Sequence, residues 1–261
     1  MDQMTNKESV KTQYEKPDNL MIRIGLHTKY SINKQSFGDW VFEQYHLMPD
    51  SRILELGCGN GDLWKGHIEK LGSGTELILS DFSEGMVEEV RSKYESCRNV
   101  SFGQINIEAI PYPEASFDIV IANMMLYHVP NLELAISEVH RVLKPGGHFY
   151  AATVGENGIY QYLEAAINDG GFHWNQTQSF TLQNGEASLR RKFDRIEIRV
   201  REDGLEVTDT KDLLDYIYSM KEIMKVEEKD RQSLFEVFEK RKDERGIIAI
   251  PKEYGMFVAI K

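Results

Sequence analysis

The chain lacks several things that would otherwise define it. Only two cysteines, Cys58 and Cys97, occur in 261 residues. That is too few for a disulfide framework and has no zinc-site spacing, so a reducing compartment is expected. Positive charge is in deficit. Lys and Arg number 31 against 42 Asp and Glu, a net charge of −11. This balance disfavours non-specific attachment to DNA, RNA or anionic membrane, although it leaves room for a local basic patch. No apolar run approaches the roughly 18 residues of a membrane span. Residues 1–16 are polar and mixed in charge, without the apolar centre of a secretion signal. No repeat or low-complexity tract is visible. The expectation is a soluble, cytoplasmic protein.

What is present is ordinary in bulk, 41% hydrophobic and 28% charged, and the chain is long enough to bury a proper core. The informative stretch is Ile53-Leu54-Glu55-Leu56-Gly57-Cys58-Gly59-Asn60-Gly61. An apolar run ending in a glycine-rich turn reads as strand, loop and helix. The glycines permit a tight turn and the close approach of a ligand to the backbone. A dinucleotide fingerprint would need glycine where Asp62 stands, and a P-loop would need Gly-Lys-Ser/Thr after Gly61. Both common nucleotide readings are weakened.

Around this stretch the sequence alternates strands and helices. Strands are expected at Arg52–Leu56, 76–80, 100–104, 117–122 and 148–153. Helices are expected at 62–71, from Ser83 as N-cap to Tyr94, and at 132–143, the last stopped by Lys144-Pro145-Gly146-Gly147. Continuous apolar strands between helices mean a parallel α/β sheet with right-handed crossovers. Further helices are expected at 159–167, 186–192, 211–220 and 228–245. Residues 195–201 alternate as a half-exposed edge strand, with Ile196, Ile198 and Val200 opposite Arg195, Glu197, Arg199 and Arg201. A short antiparallel strand is expected at 256–260. Trp40, Val41, Gln44 and Tyr45 recur at helical spacing. Tyr14 is the one large apolar anchor before Pro17.

Glu55-x-Gly57-x-Gly59-x-Gly61 resembles the first motif of the class I S-adenosylmethionine (AdoMet) methyltransferases. Three further elements follow in order. Asp81 ends the second strand, about 20 residues past the glycines, where a carboxylate accepts both ribose hydroxyls of an adenosine cofactor. Asn106-Ile107-Glu108-Ala109-Ile110-Pro111, with Ser116-Phe117-Asp118, resembles a segment of the ubiquinone/menaquinone-methyltransferase-like group. There the first two positions contact adenine, here Asn106 and Ile107, with Asn in place of the family's Asp. Asn123-Met124-Met125-Leu126-Tyr127-His128 matches the stretch that lines the methionine part of the cofactor. The resemblance covers roughly residues 50–154.

It implies a Rossmann-like fold, a mostly parallel seven-stranded sheet flanked by helices, with an α-helical cap. Residues 1–48 would form an N-terminal cap or lid, 49–154 the AdoMet-binding core, and 155–261 the rest of the sheet with inserted cap helices. The implied cofactor set is Glu55, Gly57, Cys58, Gly59, Asp81, Phe82, Met86, Asn106, Ile107, Asn123 and Leu126. AdoMet would leave as S-adenosylhomocysteine. No metal is implied. Methyl transfer needs an aligned nucleophile, exclusion of water and, for hydroxyl or amine acceptors, a base. The candidate bases are His128, His27 and Tyr30, and His173 and Trp174 could line the pocket. The expected reaction is methylation of oxygen or nitrogen on a small-molecule acceptor by a monomer or homodimer. One alternative is RNA or protein methylation using the basic residues 190–201. The other is a non-catalytic AdoMet-binding protein.

Overall fold

The computed structural model describes residues 17–171 and 178–261. Tyr14, His173 and Trp174 lie outside them. Seven strands form one sheet: β1 Arg52–Leu56, β2 Glu76–Asp81, β3 Val100–Gln104, β4 Phe117–Ile121, β5 Leu143–Val154, β6 Arg195–Val207 and β7 Ile248–Ile260, in the order β3-β2-β1-β4-β5-β7-β6. The pairs β3/β2, β2/β1, β1/β4 and β4/β5 are parallel. β7 runs against β5: Gly146 pairs with Lys261, and Gly155 with Glu253. The helices are α1 Pro17–Tyr30, α2 Phe37–Gln44, α3 Glu84–Tyr94, α4 Leu132–Val142, α5 Ile159–Asp169, α6 Gly185–Leu189, α7 Thr210–Tyr218, α8 Lys221–Met224 and α9 Arg231–Glu239. The fold is therefore the α/β, mostly parallel, seven-stranded arrangement expected.

The chain divides into two compact units interleaved in sequence. One comprises Met1–Lys34, Val154–Gln178 and Arg201–Tyr254, and the other Gln35–Thr153, Ser179–Val200 and Gly255–Lys261. In the second unit, Ile53, Leu77, Leu79, Ile119 and Ile121 on neighbouring strands share a core with Val41, Trp64 and Val90. Their side chains are almost wholly buried, each stabilising by about 1.5–3 kcal/mol. The amphipathic pattern of α4 turns Ala135, Ile136, Val139 and Val142 inward, and the Asn131 side chain caps its first turn by accepting from Leu134 N at 3.0 Å. In the first unit, α1, α5, α7, α8 and α9 contribute to a separate core containing Leu26, Leu163, Leu213, Ile217, Met224, Leu234 and Phe238.

The structure departs from expectation at particular residues. The segment 62–71 is no α-helix but two 3₁₀ turns, Asp62–Trp64 and Ile68–Lys70. Gly66 between them has φ 74°, which an α-helix cannot contain. Lys144-Pro145-Gly146-Gly147 does not stop the chain before β5. It bulges inside the strand, between Leu143 paired with Phe117 and His148 paired with Ile119. Gly146 takes φ 78° there. Ser83 is the N-cap residue of α3, but its side chain makes no capping bond. The helix expected to reach residue 245 ends near 239. The Asp243 carboxylate accepts from Arg245 N and Ile247 N at 2.9 and 3.0 Å and turns the chain instead. β6 and β7 are longer than expected. β6 does lie at the sheet edge, yet Ile198 and Val200 are exposed while Arg201 is buried.

Candidate active site

The order of strands reverses between β1 and β4, both leaving the sheet at their carboxyl ends on neighbouring rows, Glu55 beside Ile121. This is the place where open α/β sheets hold ligands. The loop after β1 fills it. Gly57, Gly59 and Gly61 have φ of 70°, 54° and 75°, all left-handed. They serve different ends. A Cβ at Gly61 would stand 2.4 Å from Val90 Cγ2, and one at Gly57 2.9 Å from Met125 Cγ, so both are needed for packing. A Cβ at Gly59 would meet nothing within 4 Å, so its side of the loop is open. Cys58 N donates to Ser80 O (2.9 Å), Tyr94 Oη to Gly61 O (3.0 Å) and Lys93 Nζ to Asn60 O (2.9 Å). These bonds hold the turn rigid.

Two acids face this loop. Asp81, at the end of β2, accepts from Gly59 N on Oδ2 (3.0 Å) and from Ser83 N on Oδ1 (2.8 Å). Each carboxylate oxygen keeps capacity for another donor. Burial pushes the Asp81 carboxyl up, and the amide bonds oppose it. Glu55 is 1% exposed and accepts from Trp64 Nε1 at 2.5 Å. Burial pushes it to about 7, the Trp64 bond works against this, and the charge of Asp81 adds to it. Two crowded acids make a site that favours a cation.

The remaining expected cofactor residues are placed as follows. Asn106 Oδ1 accepts from Glu108 N at 3.0 Å and Asn106 O from Ala109 N at 2.9 Å, a local turn that uses part of its acceptor capacity. Ile107 is buried beside it. Asn123 is buried, with Nδ2 donating to Tyr45 Oη (2.6 Å) and Oδ1 accepting from Ala152 N (3.2 Å). Leu126 is fully buried, Cys58 and Met86 are buried, and Phe82 is 42% exposed. His128 is half-buried at the end of a 3₁₀ turn, Leu126–His128, with its ring edge-on to Tyr127.

His128 shares the second unit with the glycine loop, whereas His27 and Tyr30 belong to the first. There the Tyr30 hydroxyl donates to Asp212 at 2.7 Å. Burial, then the charge of Lys252, holds His27 down at about 3. Such an imidazole is neutral at pH 7 and a poor proton acceptor.

Several supporting residues carried no motif. Trp64 orients Glu55, Tyr94 and Lys93 hold the loop, and Tyr45 holds Asn123. Arg141 donates to Tyr112 O (2.7 Å) and Ile110 O (2.9 Å), fixing the segment after Asn106. The only signal for them was placement on the inner face or last turn of a helix. Four of the basic residues in 190–201 are engaged with acids: Arg190 with Glu186, Arg191 with Glu133, Arg199 with Glu197 and Arg201 with Asp203. Among the described residues no three metal-binding side chains cluster, and no helix is long and apolar enough to cross a membrane.

Residues 54–151 match the family described as a methyltransferase domain. The chain is 32% identical over 154 residues to the ubiquinone/menaquinone biosynthesis C-methyltransferase UbiE of Coxiella burnetii, covering 56% of this chain and 58% of that one. The corresponding enzyme of Hydrogenovibrio crunogenus is 36% identical over 104 residues, 39% of this chain and 41% of that one. The chain thus spans about half the length of these relatives. Among solved structures, the YcgJ protein of Bacillus subtilis superposes with a TM-score of 0.62 at 19% identity, covering 86% of this chain and 97% of that one. At these identities the structural likeness speaks for the fold. Motif, strand order and matched segment agree: residues 54–151 are similar to a methyltransferase domain, and part of the chain is similar to the ubiquinone/menaquinone C-methyltransferases.

Proposed function

We propose that the protein transfers the methyl group of AdoMet to a carbon atom of a small-molecule acceptor. The observation that carries the cofactor assignment is the pairing of Asp81 with the open side of Gly59 at the strand-order reversal. The donor set suits AdoMet. Asp81 has acceptor capacity left for ribose hydroxyls, Asn106 and Ile107 match by position the residues that contact adenine in the family, and Leu126 offers an apolar wall. Glu55 and Asp81 favour a positively charged ligand. AdoMet, when bound, supplies an electrophilic methyl on a sulfonium. The chain's own work is to orient the acceptor, exclude water and take up a proton. We assign the proton to His128, the one candidate base in the unit that holds the loop.

Carbon is preferred to the oxygen or nitrogen expected above because the matched relatives are named as C-methyltransferases. Calorimetric titration with AdoMet, S-adenosylhomocysteine and NAD tests the cofactor. The first two should bind and NAD should not. Asp81→Asn should weaken AdoMet binding by about 1.5–3 kcal/mol, roughly ten- to a hundredfold. Unchanged affinity in a folded variant overturns the placement. A second reading keeps the fold without methyl transfer. The structure described as the [4+2]-cyclase SpnF aligns with all of this chain, with a TM-score of 0.60 at 17% identity, so fold alone does not select the reaction. AdoMet binding without turnover on a panel of carbon, oxygen and nitrogen acceptors would favour it.

A further inference from the structure

β6 forms one edge of the sheet, with β7 on its inner side. Its first half, Arg195–Val200, belongs to the second unit. Here the strand is open on both faces. Ile198 is 39% and Val200 61% exposed, Arg195 and Glu197 are exposed, and Ile196 and Arg199 are half-buried. The run contains no proline and no lysine, two of the residues that blunt a sheet edge against pairing.

The backbone of this run turns outward at alternate residues. A Cβ on Gly255 of β7 would stand 2.6 Å from Arg199 O, so the Arg199 carbonyl is turned to β7. Successive residues of a strand point their N–H and C=O groups to opposite edges. Ile198 and Val200 therefore present theirs to the outer edge, and Ile196 continues the alternation. Further along, Gly204 has the same parity, and its carbonyl accepts from Ile32 N at 2.9 Å, outside β7. Among the described residues the isolated bridge to β6 is Ser31 with Leu205, beyond the Ile196–Val200 run.

The charges of the run complement themselves. Arg199 Nε and Nη2 each donate to Glu197 at 3.0 Å, while the Glu197 side chain stays 61% exposed. Consider a second copy laid antiparallel along this edge, with a two-fold axis at Ile198. Ile198 then faces its own copy, Ile196 faces Val200, and Glu197 faces Arg199. Each apolar pair would exchange two backbone bonds. The two Glu197 and two Arg199 side chains would form a closed set of alternating charge. Moving the axis one residue either way sets Glu197 or Arg199 against itself, a like-charge pair directly opposite. The next pair outward would be Arg195 with Arg201, so the matched segment ends at Ile196 and Val200.

We infer that the outer edge of β6 is an interface for a second copy of this chain, paired antiparallel about Ile198 as a two-fold dimer. A strand from an unrelated protein could use the same backbone groups. Only the two-fold axis matches Glu197 and Arg199 in both directions with no further requirement on sequence. The matched segment is short, so the dimer is of the weak, reversible class. The inference does not rest on methyl transfer, because the edge lies on the backbone of β6 and uses none of the residues assigned to the cofactor.

Sedimentation velocity of the whole protein, from micromolar to near-millimolar concentration, tests it. A reversible monomer–dimer equilibrium is expected. Ile198→Lys places two ammonium groups opposite each other at an exposed position and should leave a folded monomer. Glu197→Arg and Arg199→Glu should each weaken the dimer roughly tenfold. An equal mixture of these two variants should recover it. In the mixed dimer every facing pair joins opposite charges, although neither chain keeps its internal pair. A monomer at all concentrations overturns the inference. A dimer that Ile198→Lys leaves at wild-type strength overturns it too, since another face is then in use. Single variants that stay monomeric when mixed overturn the register, because the charges then act only within each chain.

Discussion

Glu55→Gln is the substitution whose consequence the structure sets most sharply. The carboxyl is 1% exposed, and burial raises it from 4.5 to about 7 despite the Trp64 indole bond. Between those values the folded protein holds a proton that the unfolded chain has released. Unfolding therefore releases a proton, and stability falls as pH rises across the window. The stabilising contribution is fully present below about 4.5 and gone above about 7. A gap of about 2.5 pH units at 1.36 kcal/mol each gives roughly 3 kcal/mol. Gln is neutral throughout, and its amide oxygen can still accept from Trp64 Nε1. At pH 4.5 the variant should match the wild type. At pH 8 it should be more stable by up to roughly 3 kcal/mol. Urea unfolding at steps from pH 4.5 to 8, both proteins side by side, measures the difference, in which the other titrating groups cancel. A difference that stays constant with pH refutes the reasoning. AdoMet affinity is the companion measurement. A cationic ligand favours ionised Glu55, so wild-type binding should tighten between pH 6 and 8 more steeply than that of the variant.

The other predictions concern the loop, its supports and the first unit. Gly61→Ala should cost more stability than Gly59→Ala, because both force a left-handed alanine, about 1–2 kcal/mol, but only the former drives a Cβ into Val90 and Tyr94. AdoMet affinity should show Gly59→Ala with the larger loss for its stability cost, and thermal unfolding with calorimetry checks both. Tyr45→Phe removes the partner of buried Asn123 Nδ2, and chemical denaturation should show a loss of about 1–3 kcal/mol. His27 resists protonation until about 3. In the first unit the unfolded chain therefore binds the extra proton between pH 6.5 and 3, and stability falls as pH drops through that range. His27→Phe should flatten that acid limb, and an unchanged limb would count against a buried neutral imidazole.

The core of the fold was legible because its local signals and its tertiary environment agree. Apolar runs such as Leu77-Ile78-Leu79 and Ile119-Val120-Ile121 are buried on both faces, as parallel strands require, and the period of α4 matches the face it buries. The sequence misled where backbone geometry decides. Gly66 looked harmless inside 62–71, yet its left-handed φ divides the segment into two turns. Lys144-Pro145-Gly146-Gly147 has the chemistry of a stop, and it does bend the chain. Because Gly146 and Gly147 exchange backbone bonds with Lys261, the bend is absorbed as a bulge within β5. A partner more than a hundred residues away cannot be read from a four-residue turn signal.

The same contrast separates the two units. The residues proposed to hold the cofactor cluster in sequence because one loop and three strand ends bring them together, and a ligand held by backbone would leave a glycine signature. The first unit offers no such signature. Arg201 continues the alternation of Arg195 and Arg199 in sequence, yet it is buried while Ile198 and Val200 face solvent. Lys252 sits beside Pro251, ahead of the short strand expected at 256–260. His27 enters only as one candidate base among three. Each is unremarkable in its own window. Their setting comes from packing: Arg201 and Lys252 are buried around one carboxylate, with the His27 ring beside them. Side-chain chemistry assembled by packing, unlike a glycine loop, has no short-range pattern for a sequence to display.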